Sequence, residues 1–117
     1  MNEQQPENVR PWGRYDIVDA DTGFQVKRLT VIPGGKLSYQ RHKQRSERWV
    51  VVRGAATVTL DDVVSEFRVG QVIFVPAMAK HRIENREDSP LVIIEVQLGH
   101  YLGEDDIERF EDAYGRT

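Results

Sequence analysis

Short β-prone runs, each followed by a turn signal, occupy most of this chain and restrict its fold more than any other feature. They are FQVKRLTVI before PGG, RWVVV before RGA, ATVTL before DD, QVIFV before PAMA, and LVIIEVQL before Gly99. Strands this short, separated by turns at this spacing, favour an antiparallel sandwich or barrel over alternating β and α units. We therefore predict an all-β fold.

The two ends of the chain differ from this pattern. The first nine residues, MNEQQPENV, are polar, so we predict a flexible lead-in over residues 1–9 and a single domain over residues 10–117. The closing stretch GEDDIERFEDAYGR opens with acidic residues, which suit the first turn of a helix. Its apolar residues fall near helical spacing: Leu102, Ile107, Phe110 and Ala113. We predict a short C-terminal α-helix on the outside of the barrel.

Composition excludes several classes of function. The chain has 117 residues and a net charge of −3, which disfavours nucleic acid or an anionic membrane as the main partner. It has no cysteine, so it has no disulfide, thiolate ligand or cysteine nucleophile. Its N-terminus has no apolar signal region, and no apolar run is long enough to span a bilayer. We expect a cytoplasmic protein.

A polar cluster lies in the segment LSYQRHKQRSERW. Gln40 and His42 are two residues apart, so on a strand they share a face. A turn over residues 43–46 would bring Glu47 back opposite His42, and an amide oxygen, an imidazole nitrogen and a carboxylate would then converge inside a barrel. The same segment can also be a solvated, basic β-edge with His42 on the surface. Both interpretations are open at this point.

A second segment, GQVIFVPAMAKHRIEN, extends the pattern. Val72 and Phe74 are predicted to face the core, and Pro76 ends that strand because it has no N–H for the ladder. His81 is predicted to begin the next strand, with Asn85 on the same face.

Together the two segments have the spacing G-x5-(H/Q)-x-H-x4-E-x6-G and G-x5-P-x4-H-x3-N, which resembles the two motifs of the cupin superfamily. Matched residue by residue, the resemblance implies four metal ligands: Gln40, His42, Glu47 and His81. Two imidazoles, one carboxylate and one amide oxygen suit a divalent ion with mixed N/O preference, such as Mn²⁺, Fe²⁺, Co²⁺, Ni²⁺ or Zn²⁺. The pattern does not choose among these ions.

The similarity extends from Arg10 to Arg116. It rests on RPWGRY, VKRLTVIPGGKLSYQRH, RWVVVRGAATVTL, VPAMAKHRIEN and IEVQLGHYLGEDDIERFEDAYGR. These segments resemble the type II phosphomannose isomerase domain, found at the C-terminal end of bifunctional mannose-1-phosphate guanylyltransferase/mannose-6-phosphate isomerase proteins. The resemblance implies a single-domain cupin, a double-stranded β-helix or jelly-roll barrel. It also implies metal-dependent conversion of mannose 6-phosphate to fructose 6-phosphate, in GDP-mannose and polysaccharide synthesis. No Gly-rich nucleotide-binding loop is present, so guanylyltransferase activity is not predicted here.

Three positions depart from that family. Where it usually reads QxHHHRAEHW, this chain reads QRHKQRSERW, so Lys43, Gln44 and Arg48 replace histidines. Strand parity predicts that Arg48 points away from Glu47, whereas Lys43 and Gln44 would lie in a turn at the mouth of the site. These changes leave a second function open, that of a non-catalytic metal-binding cupin that binds a sugar phosphate. The ligand set also allows an Fe²⁺ oxygenase.

An aldose–ketose isomerase must move a proton between C1 and C2 and hold the phosphate at the far end of the sugar. Lys27 alternates with apolar Leu29 and Val31, so it is a candidate catalytic residue pointing inward. The alternative is a lysine that extends to solvent at the barrel rim. Arg45 and Lys43 are candidate phosphate contacts, with a solvated turn as the alternative.

The strand LVIIEVQL has two possible inward faces. If Leu91 and Ile93 face inward, Glu95 is the candidate base and Gln97 a candidate substrate-binding residue. The opposite face is wholly apolar, and the pattern alone slightly favours that face as the inward one. The family resemblance favours the first orientation.

The predicted partner is a small phosphorylated sugar. We also expect a homodimer, because an apolar outer face around Val50 and Val52 would need to be covered.

Overall fold

A computed structural model of the chain describes residues 8–116, and within that range the chain forms eleven strands. They are β1 (Val9–Arg10), β2 (Gly13–Asp21), β3 (Phe24–Val31), β4 (Tyr39–Arg41), β5 (Arg45–Arg53), β6 (Ala55–Leu60), β7 (Val63–Arg68), β8 (Val72–Val75), β9 (His81–Glu84), β10 (Leu91–Gly99) and β11 (Glu108–Glu111). The predicted all-β fold is confirmed. Most of the predicted lead-in, residues 1–7, lies outside the described residues.

The strands form two antiparallel sheets. One sheet has six strands in the order β1-β2-β3-β10-β5-β8, and the other has five in the order β11-β4-β9-β6-β7. Consecutive strands are mostly not neighbours, as in a barrel whose chain crosses between sheets. No helix in the described part of the chain is long and apolar enough to cross a membrane.

The inward faces of the strands change character from one end of the barrel to the other. On β3 the inward side chains run from Lys27 to Leu29 and Val31, and all three are buried. On β5 they run from Glu47 to Trp49 and Val51, also buried. The strand registers place the polar positions of neighbouring strands side by side. One end of the barrel is therefore packed with apolar side chains, and the other carries polar groups.

The inward face of β10 is the one with polar residues. Leu91, Ile93, Glu95 and Gln97 are buried, whereas Leu98 on the other face is 39% exposed. Glu95 lies directly opposite Lys27 on β3 and Trp49 on β5. The slight preference of the pattern for the apolar face is therefore wrong. Polar partners on both neighbouring strands make the inward position of Glu95 and Gln97 favourable.

The orientation predicted for β8 is wrong. Ile73 and Val75 are buried, whereas Val72 is 61% exposed and Phe74 is 51% exposed. Every residue of this strand is apolar, so its sequence has no alternation from which to read the inward face. The pairing of Val75 with Glu47 and of Ile73 with Trp49 decides the face instead.

The predicted C-terminal helix is also wrong, because residues 108–111 form β11 and pair with β4. Local helix preference is weak, and contacts with the sheet override it here. The Phe110 ring lies 6.3 Å from the Tyr39 ring, and Arg82 donates hydrogen bonds to the Glu111 side chain and carbonyl. Strand pairing also satisfies the backbone groups of β4, which has only three residues.

Candidate metal centre

Three side chains converge at the polar end of the barrel. His42 follows β4, Glu47 lies on β5 and His81 begins β9, and all three are buried. His42 Nε2 lies 3.4 Å from Glu47 Oε2, and His81 Nε2 lies 3.8 Å from Glu47 Oε1. One ligand atom from each residue lies within 4.8 Å of the others. The turn after His42 therefore brings Glu47 opposite it, as the segment predicted.

Both histidines are oriented by backbone carbonyls. His42 Nδ1 lies 2.6 Å from the carbonyl oxygen of Asp106, and His81 Nδ1 lies 3.0 Å from that of Ala79. A carbonyl oxygen only accepts, so each Nδ1 carries the proton and each Nε2 keeps the lone pair of its ring on the side of the cluster. Ligating histidines in metalloproteins are commonly held in this way.

The electrostatics of the cluster keep both rings neutral. Burial, followed by the nearby positive charge of Arg45, lowers the pKa of His42 to about 4. Burial also lowers the pKa of His81. Neutral imidazole is the form that binds metal ions. Two neutral imidazoles and one carboxylate fit a divalent ion such as Mn²⁺, Fe²⁺, Co²⁺, Ni²⁺ or Zn²⁺.

Gln40 lies beside this cluster. It is paired directly with His81 between β4 and β9, it is half-buried, and it lines the same cavity. Its side chain therefore shares the cavity with the cluster, and its role as a fourth ligand stays a prediction.

The cavity above the cluster is strongly charged. Its lining includes the cations Arg10, Lys27, Arg45, Arg109 and Arg116 and the acids Glu47, Glu95 and Glu104. Such a cavity suits a ligand that carries both hydroxyl groups and an anionic group.

Glu95 is held inside the cavity by two donors. Trp49 Nε1 lies 3.1 Å from Glu95 Oε1, and Gln97 Nε2 donates to Glu95 Oε2 at 2.9 Å. Burial, together with the negative charge of Glu47, raises the pKa of Glu95 well above its usual range. Gln97 Oε1 is buried and has no hydrogen-bond partner among the described residues. The Glu95 carboxyl is thus buried, fixed by two donors and raised in pKa, a combination that is common among groups that exchange protons.

Lys27 points inward, as one of the two interpretations predicted. It is buried, its Nζ contacts the Glu104 carboxylate, and it lies 4.5 Å from the centre of the Tyr15 ring.

The two predicted phosphate contacts, Arg45 and Lys43, differ in burial. Arg45 is buried beside Glu47 and His42 and not in a solvated turn. Lys43 and Gln44 are exposed, and neither is among the residues that line the cavity. Arg48 lies on the outer face with its guanidinium 4.6 Å from the Phe74 ring, so it points away from Glu47 as predicted.

Sequence reasoning missed Asp106, which lies in the segment after β10. Asp106 accepts hydrogen bonds from the backbone N–H groups of Lys43 and Gln44, while its carbonyl orients His42. Arg109 faces the cavity, and its Nε is buried with no hydrogen-bond partner in the described range. The incorrect helix prediction hid the role of Asp106, although this residue lies in the closing segment on which the family resemblance rests.

Comparison with known families now adds to this geometry. The family described as "Mannose-6-phosphate isomerase C-terminal" matches residues 1–112. This chain belongs to the mannose-6-phosphate isomerase C-terminal family. Its relatives include the alginate biosynthesis protein AlgA of Pseudomonas putida, 55% identical over 111 residues, and the mannose-1-phosphate guanylyltransferase ManC of Salmonella typhimurium, 51% identical over 111 residues. Both alignments cover 95% of this chain and 23% of the relative.

This member of the family therefore spans about a quarter of the length of those relatives. Its fold is shared with an uncharacterized conserved protein with a double-stranded β-helix domain from Klebsiella pneumoniae. The TM-score is 0.75 at 19% identity, with 91% of this chain and 93% of that chain covered. The predicted cupin barrel is confirmed.

Proposed function

We propose that this chain catalyses the metal-dependent interconversion of mannose 6-phosphate and fructose 6-phosphate. The observation that carries the proposal is one cavity that holds the His42–Glu47–His81 cluster together with the buried carboxyl of Glu95. Membership of the isomerase family supports it. The names of relatives such as AlgA support a place in polysaccharide biosynthesis.

The cluster would hold the divalent ion through His42, Glu47 and His81, with Gln40 as the fourth ligand. A divalent ion held there supplies positive charge that polarises the carbonyl and hydroxyl oxygens at C1 and C2 of the open-chain sugar. Trp49 supports the cluster, because its Nε1 lies 3.1 Å from Glu47 Oε1 and fixes that carboxylate.

Glu95 is the candidate base. It would take the proton from C2 of open-chain mannose 6-phosphate and return it to C1, while the hydroxyl proton of O2 passes to O1. Its raised pKa lies closer to neutral pH than the pKa of an ordinary carboxyl. A group whose pKa is near the working pH can both accept and donate a proton efficiently. The hydrogen bonds from Trp49 and Gln97 keep its two oxygens in fixed positions. Lys27, opposite Glu95 on the neighbouring strand, is the second catalytic candidate and would stabilise negative charge on the sugar oxygens.

Arg109 is the candidate for the phosphate end of the sugar. Its Nε is buried without a partner in the described structure, and its side chain lines the cavity from β11. A guanidinium can bind a phosphate through two parallel hydrogen bonds. Arg45, Lys43 and Gln97 remain candidate substrate contacts from the sequence; Arg45 and Gln97 line the cavity.

The alternative function is a cupin that binds a metal and a sugar phosphate without turnover. The case for this alternative is that Lys43, Gln44 and Arg48 stand where the family usually has histidine. The side chains at positions 43 and 44 are exposed and outside the cavity lining, and Arg48 lies on the outer face, which favours the isomerase.

The test begins with protein stripped by a chelator. Mn²⁺, Co²⁺, Zn²⁺, Ni²⁺ or Fe²⁺ is restored separately, and conversion of mannose 6-phosphate to fructose 6-phosphate is measured beside His81→Ala. We expect turnover that depends on metal and is lost in the variant. Metal binding without turnover for any ion would favour the non-catalytic function, and oxygen uptake with Fe²⁺ would favour the oxygenase.

A further inference from the structure

The Arg45 guanidinium lies on the atoms that would bind the metal. Its Nε donates to Glu47 Oε2 at 2.8 Å, and its Nη2 lies 3.1 Å from His42 Nε2. The side chain is buried, and Nη1 has no hydrogen-bond partner within the described range. Arg45 thus uses the same two atoms, one from each residue, that face each other across the cluster at 3.4 Å.

The contact with His42 excludes a metal at that nitrogen. A neutral imidazole has one N–H and one lone pair, and an arginine can only donate. His42 Nδ1 already donates to the Asp106 carbonyl, so Nε2 has the single lone pair of the ring. That lone pair can accept from Arg45 or bind a metal ion, and it cannot do both.

The charges of the cluster also prevent Arg45 and a metal ion from binding it together. Glu47 is buried, and a buried carboxylate needs a positive partner. In this structure Arg45 is that partner, in an ion pair whose two side chains are each 5% exposed or less. A divalent ion at the cluster would replace this positive charge, and two cations so close together would repel each other.

We propose that Arg45 holds the place of the metal in the metal-free protein and leaves His42 when the ion binds. This inference rests on the metal-dependent function proposed above. The released end of the guanidinium lies in the substrate cavity, where its N–H groups become available to an oxyanion of the sugar phosphate. Arg45 would therefore weaken metal binding and couple it to substrate binding.

Metal affinity is the readout that tests this role. Zn²⁺ and Mn²⁺ are titrated into chelator-stripped protein against a chelating dye, for wild type, Arg45→Met and Arg48→Met. Methionine keeps an unbranched chain and removes the donors. Arg48 is the matched control, because it lies on the same strand and faces outward. We expect Arg45→Met to bind metal about tenfold more tightly than wild type, since it no longer competes for His42. Arg48→Met should match wild type.

The outcomes separate this inference from the proposed function. One equivalent of metal bound with unchanged or weaker affinity in Arg45→Met would overturn the role of Arg45 and leave the metal centre standing. If neither wild type nor Arg45→Met binds metal, both the role of Arg45 and the proposed metal-dependent function are overturned.

A measurement on wild type alone keeps the test independent of whether the variant folds. In ¹⁵N-labelled, metal-free protein, NMR should detect a ¹⁵N–¹⁵N scalar coupling across the hydrogen bond between Arg45 Nη2 and His42 Nε2. It should vanish with one equivalent of Zn²⁺. A coupling that persists with Zn²⁺, or is absent before Zn²⁺ is added, contradicts the proposal.

Discussion

Trp49 connects the two buried carboxylates of the site through one N–H group. Its Nε1 lies 3.1 Å from Glu47 Oε1 and 3.1 Å from Glu95 Oε1, and its ring lies 5.5 Å from the His81 ring. The proposed metal ligand and the proposed base are thus positioned by the same side chain. Their separate roles can be tested because each carboxylate can be changed alone.

Glu95→Gln should separate chemistry from metal binding. The amide keeps the shape of the side chain and cannot take a proton, so we expect kcat to fall by about 10²- to 10⁴-fold. Metal affinity should change little, because Glu95 is not a predicted ligand. Isomerisation of mannose 6-phosphate and dye competition for Zn²⁺ measure the two effects. Glu66→Gln, on an exposed strand and outside the cavity lining, is the control. Activity retained in Glu95→Gln would exclude Glu95 as the base.

Met78→Gly should stabilise the protein. Met78 has a φ of 73°, in the left-handed region that side chains disfavour, and it is 47% exposed. Glycine removes that backbone strain but has more entropy to lose on folding, so the net gain should be roughly 0.5 kcal/mol. Urea unfolding measures it, with Met78→Ala, which keeps the strain, as the comparison. A less stable glycine variant would mean that the exposed Met78 side chain contributes packing that outweighs the strain.

At the scale of elements, the segment after β10 supports the site from outside the two predicted motifs. Residues 100–107 cross the polar end of the barrel, where Glu104 contacts Lys27 and the Asp106 carbonyl orients His42. The Asp106 carboxylate accepts from the N–H groups of Lys43 at 3.0 Å and Gln44 at 2.9 Å, and so holds the turn between β4 and β5. A segment without regular structure thus fixes the turn that brings Glu47 opposite His42.

Asp106→Asn should reduce stability in a way that depends on pH. Burial raises the pKa of Asp106, but the two backbone hydrogen bonds outweigh it and lower the pKa below its ordinary value of 3.8. The ionised form therefore stabilises the fold above about pH 4, and this stabilisation is lost as pH falls through the lowered folded-state pKa. We expect a loss of roughly 1 kcal/mol at pH 7 that shrinks in acid. Urea unfolding from pH 7 to pH 3 measures it.

Asp88→Ala is the control for that series, because Asp88 lies in an exposed turn. Its effect should be small at both ends of the pH range. A deficit in Asp106→Asn that stayed constant with pH would show that the charge of Asp106 does not act through these hydrogen bonds.

At the scale of the whole molecule, the outer face of the six-stranded sheet has no cover within the described residues. Val52, Val72, Phe74 and Leu98 are exposed there, beside half-buried Val50. The strand β8 is an edge of that sheet. Exposed apolar faces of this kind commonly mark contact surfaces. The homodimer predicted from Val50 and Val52 stays a prediction.

Sedimentation tests the predicted dimer. Wild type should sediment with twice the mass of one chain, and Val72→Glu should sediment as a single chain, because a charge would be buried in the interface. Val63→Glu, at an equally exposed valine on the other sheet, is the matched control and should leave the dimer intact. A wild-type protein that sediments as one chain at high concentration would end the dimer prediction.

Much of this protein follows from its sequence alone. The strands and turns are local features, set by β-branched runs and by glycine and proline, so the all-β fold was predictable without contacts. The convergence of His42 and Glu47 was predictable because strand side chains alternate with period two and the turn after His42 is short. The set of four metal ligands came from the resemblance to the cupin motifs and stays a prediction.

Only the tertiary structure decided the rest. The inward faces of β8 and β10 depend on which residues lie across from them, since an apolar residue on a strand fits either side of a sheet. The closing segment became a strand because β4 needed a partner for its backbone groups. Arg45 lies against His42 and Glu47 because Glu47 is buried and requires a positive charge close to it. Each of these outcomes depends on residues distant in the chain, which no local pattern records.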